Sequence, residues 1–234
     1  MLGAVGLIIG LVGGPCAAAP PLTDAPTGGR FWVDVGWDPT WVIEVGAGRR
    51  VGDVRAAGPV ELQAVITAPI VLLSSLGGAE LALGAATRTG PEGPLGVEVG
   101  GQMWAAGARD PLGAKVGLGV DLVARPGWAW QRGAAGLELG WRQGLATRAR
   151  HSEAVQDLFG DRYPDAEPAP EVVWLRSPVR RQRLGVFGAW QPTEPLTLAL
   201  SGGLERTAQE QGIAAQPSLG QLPFTAHLSG STSW

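Results

Sequence analysis

Residues 114–125 read AKVGLGVDLVAR, and their spacing decides the fold class. Ala114, Val116, Leu118, Val120, Leu122 and Ala124 fall on one parity, and Lys115, Gly117, Gly119, Asp121, Val123 and Arg125 on the other. A helix keeps one face apolar by repeating every three or four residues, whereas a strand turns successive side chains to opposite sides. A strict period of two is therefore a strand with two unlike environments. On one side of it, Leu95, Val97, Val99, Gly101 and Met103 alternate with Gly96, Glu98, Gly100, Gln102 and Trp104. Farther away, Val60, Leu62, Ala64 and Ile66 alternate with Glu61, Gln63, Val65 and Thr67, and the leucines 196, 198, 200 and 204 with Thr197, Ala199, Ser201 and Glu205.

Between turn signals the same pattern predicts ten strands: Arg30–Trp37, Trp41–Val51, Pro59–Leu72, Gly78–Arg88, Pro94–Gly107, Gly113–Arg125, Trp128–Thr147, Val179–Gln191, Pro195–Thr207 and Leu222–Trp234. Many reach the roughly 9 to 11 residues that a tilted strand needs to cross a bilayer, and strands of soluble sandwiches run to about 5 or 6. The expected fold is all-β: a closed antiparallel up-and-down transmembrane β-barrel of about ten strands. Connector lengths agree with it. One alternate set is short (Gly52–Gly58, Thr89–Gly93, a tight Pro126-Gly127 turn and Pro192–Glu194). The other holds both long insertions, Arg148–Pro178 and Ala208–Gln221, with Asp38–Thr40, Leu73–Gly77 and Ala108–Leu112. Long connectors confined to one side are a habit of membrane barrels.

Composition limits the class further. With 37 glycines and 19 prolines among 234 residues, helix bundles are excluded, and 45% hydrophobic against 17% charged excludes disorder. Net charge is −3 and Lys115 is the one lysine, so there is no basic stripe for nucleic acid. Cys16 stands alone, which excludes a disulfide framework and a thiolate metal site. The uncharged run from Met1 to Thr23, with apolar Leu2–Val12 followed by Ala17, Ala18 and Ala19, reads as a signal peptide over 1–19, although it has no basic start. A lipoprotein anchor at Cys16 is the lesser reading, because Gly13, Gly14 and Pro15 do not form a lipobox. The domain plan is thus leader 1–19, proline-rich lead 20–29, and barrel 30–234 with long outer loops at 148–178 and 208–221.

The last segment reads LPFTAHLSGSTSW. Counting back from Trp234, Thr232, Gly230, Leu228, Ala226, Phe224 and Leu222 share a face opposite Ser233, Ser231, Ser229, His227 and Thr225. An amphipathic strand ending in an aromatic resembles the C-terminal signal of bacterial outer-membrane proteins, where phenylalanine is usual and Trp234 is a departure. The resemblance implies location in the cell outer membrane, outer-membrane lipid as surroundings, and recognition by the barrel-assembly machinery through Phe224, Leu228 and Trp234.

In such a barrel the polar parity points inward. Parity then groups Glu44, Glu61, Glu80, Glu98, Lys115, Asp121, Arg125, Glu138, Arg142, Arg183 and Glu205 as a lumenal network, in a barrel narrow enough for side chains to fill. A wide pore is not expected. Trp32, Trp37 and Trp41 near the first hairpin, Trp128 and Trp130 after Pro126-Gly127, and Trp190 and Trp234 at strand ends resemble interfacial girdles, while Trp104 points inward by parity.

Catalysis has few candidates, since His151 and His227 are the only histidines. His227 and Ser229, with Glu205 on the neighbouring strand, supply the residue types of a nucleophile, base and orienting carboxylate. The His-x-Ser spacing is similar to that of the outer-membrane lipid A deacylases, whose site opens to the bilayer, but parity turns His227 inward. The loop residues Asp157, Asp161 and His151 loosely match the rim inventory of ten-stranded outer-membrane proteases. Ser152–Gly160 has the caps of a short helix, and Glu153, Asp157, Asp161, Asp165 and Glu167 lack calcium-loop spacing. No cofactor or metal is expected. The leading expectation is a structural or loop-mediated binding role. Its rivals are a lipid or peptide hydrolase and a soluble exported barrel holding an apolar ligand.

Overall fold

A computed structural model describes residues 28–37, 41–54, 58–70, 79–89, 94–110, 113–153, 156–157, 172–176, 179–209 and 224–234. The leader, Cys16, Leu222 and the loop acids Asp161, Asp165 and Glu167 lie outside the described residues. Eleven strands follow in order: β1 (Gly29–Trp37), β2 (Trp41–Val54), β3 (Gly58–Pro69), β4 (Glu80–Thr89), β5 (Leu95–Asp110), β6 (Gly113–Trp130), β7 (Gly133–His151), β8 (Val172–Arg176), β9 (Val179–Thr193), β10 (Leu196–Gln209) and β11 (Phe224–Ser233). Each pairs antiparallel with its neighbours, β6 also meets β7, and β1 meets both β2 and β11. Ten of them close into a barrel, and β8 is an added strip on the outer part of β7. Closure leaves no open edge of unpaired amides in the ring.

Alternation survives on every wall. In β11 the exposed Phe224, Ala226 and Leu228 alternate with buried Thr225, His227 and Ser229, and in β2 exposed Val45 and Ala47 alternate with buried Glu44, Gly46 and Gly48. Leu200 is 62% exposed whereas Arg142 is 0% exposed. Carboxylates and several arginines thus gather in the interior and hydrocarbon covers most of the outside, with Arg148, Arg150 and Arg206 among the outward exceptions. A small apolar cluster of Trp32, Val65, Ala82, Trp104 and Ala106 sits within the lumen beside that charge.

Two connections differ from expectation. β6 continues through Pro126 and Gly127 to Trp130, and the turn to β7 is at Gln131-Arg132. Proline lacks an amide donor and Pro-Gly is a strong turn signal. Here Val97 still pairs with Pro126, while the β6–β7 pairing omits Arg125 and Pro126 and resumes at Gly127 with Gly136. A local loss on one side of the strand is outweighed by continuous ladders around it. Similarly, β7 runs on to His151, and Val172–Arg176 forms β8 against Ala146–Arg150, inside the segment expected as connector. A register shift near Leu118/Gly119 changes the inward parity of β7 between Gly144 and Ala149, which hides the continuation from a strict period-two reading.

Candidate functional site

The lumen is where the chain gathers its chemistry. Near the short-turn end Arg125 is shared by two carboxylates, with Nη1 2.7 Å from Glu98 Oε1 and Nε 2.8 Å from Glu138 Oε2. Glu138 also meets Arg183 Nε at 3.0 Å. Arg30 Nε donates to Glu61 Oε1 at 2.8 Å, and Gln63 Nε2 donates to the same oxygen at 2.9 Å. Strands β1, β3, β5, β6, β7 and β9 are therefore cross-linked through the interior.

A second group lies higher in the barrel. Arg142 meets Glu80 at 2.5 Å and Asp121 at 3.4 Å, and its guanidinium lies 4.0 Å from the centre of the Trp104 ring. Asp121 also accepts from Gln102 Nε2 at 3.1 Å, and Arg181 pairs with Glu205 at 3.3 Å. Trp32 Nε1 donates to Glu44 at 3.0 Å. These bridges satisfy buried charge, which is costly to isolate from water. Lys115 is half-buried on the same inward parity.

Glycines make this packing fit. A Cβ on Gly46 would collide with the Trp32 ring, and one on Gly119 with the Trp104 ring. Because only hydrogen occupies the cross-strand position, each indole can lie flat against the inner wall. Between Gln63, Glu98, Gln102, Asp121, Arg125 and Glu138 remains a cavity of about 30 Å³, room for a water or two.

At the closing seam, His227 Nδ1 lies 2.7 Å from Asp34 Oδ1 and its ring lies over Gly36, while Nε2 is buried without a hydrogen-bond partner. Asp34 is the cross-strand neighbour of both Ser229 and Glu44. Glu205, expected as the orienting carboxylate, instead faces Arg183 in register and bridges to Arg181. The carboxylate on His227 is Asp34. Parity turns all three of Asp34, His227 and Ser229 inward and buries them, so an acyl chain outside the wall has no direct approach to them. Among the described residues no three His, Cys, Asp or Glu side chains converge as metal ligands. Of the rim set, Asp157 is exposed, Asp161 lies outside the described residues and His151 ends β7.

Four lumenal residues were not anticipated: Arg30, Trp32, Asp34 and Arg181. The parity of RFWVDVGW already separates Arg30, Trp32 and Asp34 from Phe31, Val33 and Val35, and Arg181 shares the parity of Arg183. Trp32, expected among girdle tryptophans, is 0% exposed. Its ring is enclosed because Gly46 opposite leaves a slot for it. Trp41, Trp128, Trp130, Trp190 and Trp234 are all exposed, Trp128 and Trp130 at the end of β6 rather than after a turn. Phe224 and Leu228 are exposed on β11, and the backbone of Trp234 exchanges hydrogen bonds with Gly29 across the seam at 3.0 and 3.2 Å. No protein-family model matches the chain, and no curated protein matches it.

Proposed function

We propose that the chain is an integral β-barrel of a bacterial outer membrane, with a filled lumen and a structural or loop-mediated binding role. The observation that carries this reading is the inversion of the usual order: Leu122, Leu137, Leu184, Leu200, Leu204 and Leu228 are exposed, while Asp34, Glu44, Glu80, Glu138 and Arg142 are buried. In water that arrangement would expose an apolar wall far larger than the few hundred Å² a soluble monomer tolerates. Against acyl chains the same wall is matched, and the inward charges neutralise one another. A lumen crossed by ion pairs on six strands favours a plug over a diffusion pore. It equally disfavours an apolar-ligand carrier, whose cavity would be lined by hydrocarbon.

The test is cell fractionation followed by gel electrophoresis with and without heating. The protein is expected in the outer-membrane fraction, and the unheated band is expected to migrate differently from the heated one. Recovery as a dissolved periplasmic monomer without detergent would refute the reading.

A further inference from the structure

We infer that the outward face of β7 to β10, at the end bearing the long connectors, binds a phosphate-bearing anionic lipid. This rests on the membrane reading above and adds a specific occupant. Its basis is how the barrel sorts charge. Asp34, Glu44, Glu61, Glu80, Glu98, Asp121, Glu138 and Glu205 all take inward positions, whereas Arg148, Arg150 and Arg206 are exposed on the outer wall. Arg180, half-buried, has their outward parity, because adjacent Arg181 turns inward to Glu205. Near the strand ends, Glu153 and Asp157 are exposed beyond β7 and not on its wall.

Register makes these arginines one surface. Arg148 is the cross-strand neighbour of exposed Val116 on one side and exposed Trp174 on the other. Arg206 lies opposite Gln182, two residues from Arg180 on the same face, and Arg180 lies opposite Gln143 of β7. From Gln143 to Arg148, opposite Val120 and Val116 of β6, the wall rises about 13 Å at roughly 3.3 Å per residue of the β6 ladder. The span suits a headgroup carrying more than one phosphate. Guanidinium forks match phosphate oxygens two at a time, and Trp174 supplies an amphipathic ring at headgroup level. Directly beneath them Leu118, Leu145, Leu184, Val186 and Leu204 are exposed, an apolar track for acyl chains. Elsewhere on this end the exposed outward side chains include Trp41, Ile70 and Phe224, all uncharged. Among the described side chains at this end, the outward arginines therefore fall in one sector, as a site requires and a uniform rim does not.

The experiment measures lipid adducts on the detergent-solubilised full barrel by native mass spectrometry, with diphosphoryl lipid A as probe and phosphatidylcholine as comparison. Diphosphoryl lipid A is expected to bind preferentially. Arg148→Gln and Arg206→Gln should each weaken it about fivefold and the double variant about 25-fold, at the strength usual for one arginine at an anionic surface. Arg49→Gln, exposed near the opposite end, should leave binding unchanged, and millimolar inorganic phosphate should not displace the lipid. Each variant is first checked for the unheated gel shift, and the single variants carry the test if the double does not fold. Equal binding of phosphatidylcholine, unaltered affinity in the variants, an equal effect of Arg49→Gln, or displacement by phosphate alone would overturn the inference. A wild-type barrel that inserts into vesicles yet shows no lipid preference sinks this inference only; one that never inserts sinks the membrane reading with it.

Discussion

Arg125 shows how much a single side chain carries in this molecule. It is the shared partner of Glu98 and Glu138, at 2.7 and 2.8 Å, so its removal takes one counter-charge from each of two buried carboxylates, while Glu138 keeps Arg183. Breaking a buried pair costs about 3–5 kcal/mol. Arg125→Met is therefore expected to lower stability by that amount in urea unfolding of the vesicle-inserted barrel, followed by tryptophan fluorescence. Adding Glu98→Gln should return part of the loss. An unchanged midpoint in the single variant would refute the interior assignment. Gly46→Val tests the packing partner: a side chain there meets the Trp32 ring, and overpacking of this kind costs about 1–3 kcal/mol. Its loss should appear in the same unfolding assay, together with a red shift of the tryptophan emission as the indole leaves Glu44. At this scale parity told which way Glu80 and Arg142 point, but not that they touch. Asp34 and His227 were less accessible still, because 193 positions separate them and only closure of β1 on β11 makes them neighbours.

For an element, the informative quantity is the contrast between its two faces. Leu122 on β6 is exposed while neighbouring Asp121 is buried. Arginine on the lipid side near the bilayer middle costs about 2–4 kcal/mol. Leu122→Arg should lower the stability of the inserted barrel by that amount in urea titration, whereas on a solvated strand it would be close to neutral. Strand existence was legible from the period of two, since each wall borders two unlike media along its length. Strand ends were not. Pro126-Gly127 carries a strong local turn signal, yet the Val97 pairing on one side and the resumed Gly127–Gly136 pairing on the other keep β6 continuous. β8 was hidden for a related reason: its five residues gain their place only from the outer part of β7. Local composition does not reveal a partner that distant turns supply.

At the level of the whole molecule, closure of the barrel and the proposed plug determine behaviour. The interior bridges among Arg30, Glu61, Arg125, Glu98, Glu138, Arg142 and Glu80 tie side chains of several strands together inside the ring, so on the proposed reading planar bilayers containing the protein should show no steady conductance. Regular unitary steps would contradict the filled lumen. The barrel class and strand number could be read from sequence because ten amphipathic segments and a leading even count admit few other closures, while the seam register and the outward arginine sector required the folded ring. The most direct test of the central claim is a nitroxide scan of residues 116–124, one cysteine at a time, in lipid vesicles, measuring accessibility to oxygen and to a water-soluble nickel chelate. Oxygen maxima are expected at 116, 118, 120, 122 and 124, alternating with low values at 117, 119, 121 and 123, with little chelate access at the maxima. No alternation, or chelate access greatest at Leu118 and Leu122, would contradict it.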